Sequence, residues 1–167
     1  MSVTSIKSKL FKAVSADTAA IAALQTLGGA GNMNLTGTSV SDGSNMDTTV
    51  TLTSGGNISG TNFTITGTDA SGASVNQTIA GPNAGTVTTT QKFLTVTQIA
   101  TNGAVGTNTS AGFTATSGTQ GIVFAGATRV RGLHGVSSST AGALIIRDGS
   151  QTGSKLLEID TPAAAGQ

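Results

Sequence analysis

The chain contains no cysteine, no tryptophan and no tyrosine, and two prolines in 167 residues. Without cysteine there is no disulfide framework, no thiolate metal site and no cysteine nucleophile. With a single histidine as well, a structural zinc site is excluded. Charge is almost as scarce. Asp, Glu, Lys and Arg make up 9% of the chain, against roughly 25% in an average soluble domain. Eight Lys and Arg stand against seven Asp and Glu, a net charge of +1, so the basic footprint of a nucleic-acid-binding domain is missing. No apolar run approaches the about 18 residues that a membrane-spanning helix needs. Lys7, Lys9 and Lys12 are not followed by the apolar core of a secretion signal, which points to synthesis in a cytoplasm. The apolar share of 37% with almost no net charge argues against disorder.

What fills the chain instead is threonine, with 30 residues, and glycine, with 24. The core must therefore come from Val, Ile, Leu and five Phe. A surface this poor in charge resists self-association weakly, which suits a protein held in an assembly. Three regions separate along the chain. In residues 1–27, Ile6, Leu10 and Val14 recur at helical spacing with the lysines off that stripe, and the Ala-rich stretch to Leu27 ends at Gly28–Gly29. This pattern predicts a short N-terminal helical arm.

Residues 28–118 change to a period of two. In Thr49-Val50-Thr51-Leu52-Thr53 and Asn62-Phe63-Thr64-Ile65-Thr66, apolar residues alternate with threonine. The alternation places Val50, Leu52, Phe63, Ile65 and Phe113 on a buried face and threonines on the other. Threonine is β-branched and favours strands, while its hydroxyl keeps a face wet. Turn signals separate these runs, including Ser54-Gly55-Gly56-Asn57, Asp69-Ala70-Ser71-Gly72, Gly81–Gly85 and Asn102-Gly103. A hairpin is expected around Asp69–Gly72. The fold class is mainly β, an antiparallel β-sandwich, Ig-like or jelly-roll-like.

Residues 119–167 carry much of the charge, with Arg129, Arg131, Arg147, Asp148, Lys155, Glu158 and Asp160. Strand candidates are Gly121–Phe124, Thr128–Leu133, Ala143–Arg147 and Lys155–Asp160, and Thr161-Pro162 ends the last of them. Four strands make a small C-terminal β-module with open edges, which implies pairing with other strands or with another chain.

Residues equipped for chemistry are few. His134 would serve as a general base only with a nucleophile or an orienting carboxylate in reach; otherwise it is a strand-end histidine near solvent. Glu158 and Asp160 lie two apart on one strand face, the arrangement of a carboxylate pair or an oxygen-ligand cation site, but equally of a solvated face paired with Arg129 or Arg131. Asp17, Asp42, Asp47, Asp69 and Asp148 are dispersed. Gly28-Gly29-Ala30-Gly31 lacks the Lys-Ser/Thr of a phosphate loop. The sequence therefore assigns no catalytic, cofactor-binding or metal-binding residue, and points to a protein that is not an enzyme.

Two stretches resemble known material. Phe63–Gly72, Thr78–Val87 and Phe93–Val96 resemble a β-module common in virion proteins of tailed bacteriophages. Arg147–Gly149 with Thr152-Gly153, then Leu156–Pro162, resembles a second small β-module of such proteins. The resemblance implies a non-enzymatic structural protein located in the virion. Foremost it implies a capsid decoration (cement) protein, with a neck, tail or fibre component, or a receptor- or carbohydrate-binding module, as the alternative. It implies the major capsid protein or other virion subunits as partners, and homo-oligomerisation, with no nucleic acid, membrane or small-molecule substrate and no cofactor.

Overall fold

A computed structural model of the chain describes residues 14–37, 47–115, 141–148 and 153–161. The chain divides into two compact units, Met1–Val123 and Phe124–Gln167. All described regular structure is β.

Among its described residues the N-terminal unit holds eight strands: β1 Asp17–Leu27, β2 Gly31–Asn32, β3 Thr48–Asn57, β4 Asn62–Thr68, β5 Ser74–Ala80, β6 Asn83–Phe93, β7 Thr95–Thr101 and β8 Val105–Phe113. They form two four-stranded sheets, in the orders β1-β8-β3-β6 and β2-β7-β4-β5. Every pairing is antiparallel. Both sheets feed one core. Ile21, Val50, Leu52, Phe93 and Phe113 come from the first, and Phe63, Ile65, Val96 and Ile99 from the second. Val50, Leu52, Phe63, Ile65 and Phe113 are buried as the alternation predicts. The hairpin at Asp69 also forms. β4 and β5 pair from Asn62 opposite Ala80 to Thr68 opposite Ser74. The Asp69 carboxylate closes the turn by accepting from Ser71 N–H at 2.8 Å and Ala73 N–H at 3.0 Å, and Gly72 supplies the required positive φ of 85°.

The helical arm expected over residues 1–27 is corrected over its second half. Asp17–Leu27 is strand β1, paired with β8 at Ala22 opposite Ala111, Gln25 opposite Thr109 and Leu27 opposite Val105. Alanine favours helix by a fraction of a kcal/mol per residue. Burying Ile21 and Ala22 completely in the shared core outweighs that preference. Residues 1–13, with Ile6, Leu10 and the three lysines, lie outside the described residues.

Sheet edges invite unwanted pairing, and in the N-terminal unit Gln77 ties edge strand β5 to edge strand β6 while Gln25 ties edge strand β1 to the segment that follows β2. On one side, Gln77 of β5 accepts from Thr90 N–H at 3.0 Å and Gln91 N–H at 2.8 Å of β6, and its amide donates to the Thr90 hydroxyl. On the other, Gln25 of β1 accepts from Asn34 N–H at 2.8 Å and donates to the Asn34 carbonyl at 2.9 Å. The same segment donates from Met33 to the Ile99 carbonyl of β7 and from Thr36 and Gly37 to the Ile21 carbonyl of β1.

In the C-terminal unit the described residues form one antiparallel hairpin, β9 Gly142–Arg147 and β10 Lys155–Thr161. These are the last two of the four strand candidates. The other two, at 121–124 and 128–133, lie outside the described residues.

Candidate interaction surfaces

In the N-terminal unit only Asp17, Asp47, Asp69 and Lys92 carry charge among the described residues. Two of them, Asp17 and Asp69, fix the local backbone. Asp17 accepts from Ala19 N–H. Asp69 closes its turn, and the hydrogen bond from the Ser71 hydroxyl, with help from backbone N–H groups, holds its carboxyl below the usual carboxylate range. Partial burial raises Asp47, opposed by the positive charge of Lys92 and slightly reinforced by Asp69. No group of three or more His, Cys, Asp or Glu gathers into a metal-binding set among the described residues.

Hydroxyls cover the outer faces instead. On the second sheet, Thr64, Thr66 and Thr68 of β4 stand opposite Thr78, Asn76 and Ser74 of β5. Neighbouring hydroxyls bond to one another, Thr64 with Thr78 at 2.8 Å and Thr68 with Thr95 at 2.6 Å. On the first sheet Thr53 bonds Thr86 at 2.8 Å and Thr49 bonds Thr114 at 2.8 Å. Several of these hydroxyls are thus held by their neighbours, and the faces present methyls and hydroxyls with little charge. Among the described residues five threonines depart from the expected wet ladder, since Thr48, Thr51, Thr89, Thr101 and Thr109 are buried. Thr51 is 5% exposed, and its hydroxyl has no hydrogen-bond partner.

The hairpin has the opposite character. Leu157 lies opposite Ile146 and Ile159 opposite Leu144, so these four aliphatic side chains share one face. Glu158 opposite Ile145 and Asp160 opposite Ala143 occupy the other. Leu144, Ile145, Leu156, Leu157 and Ile159 are all exposed, by 37% to 66%. Apart from Leu24 on β1, these are the exposed large hydrophobics among the described residues.

Each residue singled out for chemistry has a place or lies outside the described set. Glu158 and Asp160 do share a strand face, and Glu158 pairs with Lys155, three residues before it. Arg147 donates to the Gly153 carbonyl at 3.1 Å and supports the connection between β9 and β10. Asp148 N–H donates to the Ser154 carbonyl at the same connection. Gly28–Gly31 joins β1 to β2 and precedes no helix. His134, Arg129, Arg131 and Asp42 fall outside the described residues. Sequence reasoning missed Gln25 and Gln77, because a glutamine that ties an edge strand to a neighbouring segment looks like any other polar strand residue. In comparisons with known proteins, no family model, no characterised protein and no solved structure matches this chain.

Proposed function

We propose that this chain is a non-enzymatic structural protein of a tailed-phage virion, foremost a capsid decoration protein that strengthens the shell by contacts between subunits. The observation that carries the reading is the pairing of opposites along one chain. A unit of low charge whose faces are covered by hydroxyls is followed by a hairpin whose aliphatic side chains are exposed. The first is a body fit to pack beside copies of itself, and the second is an attachment element. The strand orders β1-β8-β3-β6 and β2-β7-β4-β5 support the finer assignment of the sandwich as a jelly roll of eight strands, an architecture that recurs in viral capsid domains. Fold alone does not fix function, so weight rests on the surfaces.

A second reading, a carbohydrate-binding module on a tail or fibre, draws on the hydroxyl and amide face of Thr64, Thr66, Asn76 and Thr78. It lacks aromatic platforms, since tryptophan and tyrosine are absent from the chain. Quantitative proteomics of purified particles separates the readings. Decoration predicts copy numbers in the hundreds, of the order of the shell protein itself. A dozen copies or fewer selects a neck or tail part, and absence from particles overturns the virion assignment.

A further inference from the structure

We infer that Asn102 is a site of spontaneous deamidation, in which the Gly103 backbone nitrogen closes a succinimide ring on the Asn102 side chain while the Asn62 N–H stabilises the charge that develops on its oxygen. The inference stands apart from the virion reading, because it rests only on the connection between β7 and β8.

Of the nine asparagines in the chain, Asn102 alone precedes a glycine. The rest precede residues whose Cβ crowds the approach of the next backbone nitrogen to the asparagine side chain. Residues 102–104 carry the chain from β7 in one sheet to β8 in the other. Hydrogen bonds hold this connection on both sides of the pair. Asn102 N–H donates to the Asn62 carbonyl at 3.2 Å, the Thr101 hydroxyl to the Gly103 carbonyl at 3.1 Å, and the Thr61 hydroxyl to the Ala104 carbonyl at 3.1 Å. The Gly103 N–H makes no hydrogen bond to a described residue, so nothing among them withholds it from reaction. Asn102 is exposed, and water and hydroxide reach it.

The contact that decides the site is the bond from Asn62 N–H to Asn102 Oδ1, at 2.8 Å. A backbone N–H only donates, so the atom facing it is the amide oxygen. Attack on Cγ places negative charge on that oxygen, and a fixed N–H at this distance is the arrangement of an oxyanion hole. The Gly103 nitrogen gives its proton to hydroxide and bonds to Cγ. The carbonyl electron pair moves onto Oδ1 and returns as the Cγ–Nδ2 bond breaks, and Nδ2 takes a proton from water and leaves as ammonia. Water then opens the ring. Opening at Cγ gives aspartate, and opening at the main-chain carbonyl gives isoaspartate. One water is consumed and one ammonia released, with no change of oxidation state. The aspartate still accepts from the Asn62 N–H, now through a charge-assisted bond. The isoaspartate adds a carbon to the main chain of the connection. Either product adds a negative charge to a unit that carries little charge of its own.

Peptide mapping by mass spectrometry of the folded full chain, incubated in heavy-oxygen water at neutral and at mildly alkaline pH and digested in ordinary water, tests the inference. The label enters when the ring opens, so conversion during digestion is not counted. The Asn102 peptide is expected to convert to two labelled acidic products of equal mass, at a rate proportional to hydroxide, and at least as fast in the folded chain as in the chain unfolded in urea. A Cβ at Gly103 meets nothing closer than the Thr61 hydroxyl at 3.7 Å, and Gly103 does not have a positive φ. Gly103→Ala therefore keeps the fold, and it is expected to retain Asn102 over a period in which the wild-type chain loses most of it. A folded wild-type chain that retains Asn102 overturns the inference. So does conversion that is slower in the folded chain than in the unfolded one, or a Gly103→Ala chain that converts as fast as wild type.

Discussion

Two threonines on neighbouring strands of one sheet should respond to the same substitution with opposite signs. Thr51 of β3 is 5% exposed and its hydroxyl has no partner. Valine has nearly the same shape and an equal liking for strands, so Thr51→Val removes a buried polar group without leaving a hole. A buried hydroxyl without a hydrogen bond costs about 1–3 kcal/mol. Relieving that cost should stabilise the N-terminal unit by about 1 kcal/mol or more, a rise in Tm of roughly 3–5 °C for a unit of this size. Thr89 of β6 is also buried, 3% exposed, but its hydroxyl is in use. Between Thr49 opposite Lys92 and Thr51 opposite Thr88 the ladder slips, and the Thr89 hydroxyl fills the gap. It accepts from Val50 N–H at 2.9 Å and donates to the Gln91 carbonyl at 2.8 Å. Thr89→Val strands the Val50 N–H inside the core and should cost about 1–3 kcal/mol. Equilibrium urea unfolding followed by circular dichroism reads both, with the denaturant slope unchanged so that midpoints report stability. If Thr51→Val destabilises the protein, or the two variants move in the same direction, the hydrogen-bond reasoning fails.

Other substitutions test the packing and the turn. Phe63 is fully buried, so Phe63→Ala should cost about 3–5 kcal/mol in the same unfolding assay, and clearly more than Ile79→Ala opposite it on β5, where the side chain is only partly buried. A Cβ at Gly67 would lie 1.9 Å from the Thr95 carbonyl oxygen. Gly67→Ala must therefore push β4 from β7, with an expected loss of at least about 2 kcal/mol. Asp69 ionises more easily folded than unfolded. The stability it contributes is present above about pH 4 and is lost as pH falls through its lowered folded value. Asp69→Ala should flatten the acid side of a plot of Tm against pH. Asp47, raised by burial, acts the other way. Its ionisation costs stability as pH rises from about 4 through its folded value, so Asp47→Asn should remove that slope.

The parts of the fold that show in the sequence are those in which local chemistry and tertiary structure agree. Thr-Val-Thr-Leu-Thr at 49–53 reads as a strand because the period is two and both residue types favour strands. The turn at Asp69–Gly72 reads as a hairpin because an aspartate that accepts from the next N–H groups and a glycine at positive φ are what such a turn needs. β1 is hidden because its Ala-rich stretch favours helix locally, and only pairing with β8, far along the chain, makes it a strand. β6 is hidden for a different reason. Thr89 points into the core and Thr88 and Thr90 do not, and a threonine carries no mark of which way it faces. The hairpin surface was half legible. Leu156, Leu157 and Ile159 read as strand residues, but their exposure is a property of what the folded chain leaves uncovered.

Hydrogen–deuterium exchange of the free chain and of purified particles that contain it tests most directly whether this chain is an assembly subunit that attaches through its hairpin. The account predicts that the backbone amides of β9 and β10 exchange rapidly in the free chain and gain protection in the particle, while β3, β4 and β8 exchange slowly in both. Protection of β9 and β10 that is the same in the free chain and in the particle would contradict it.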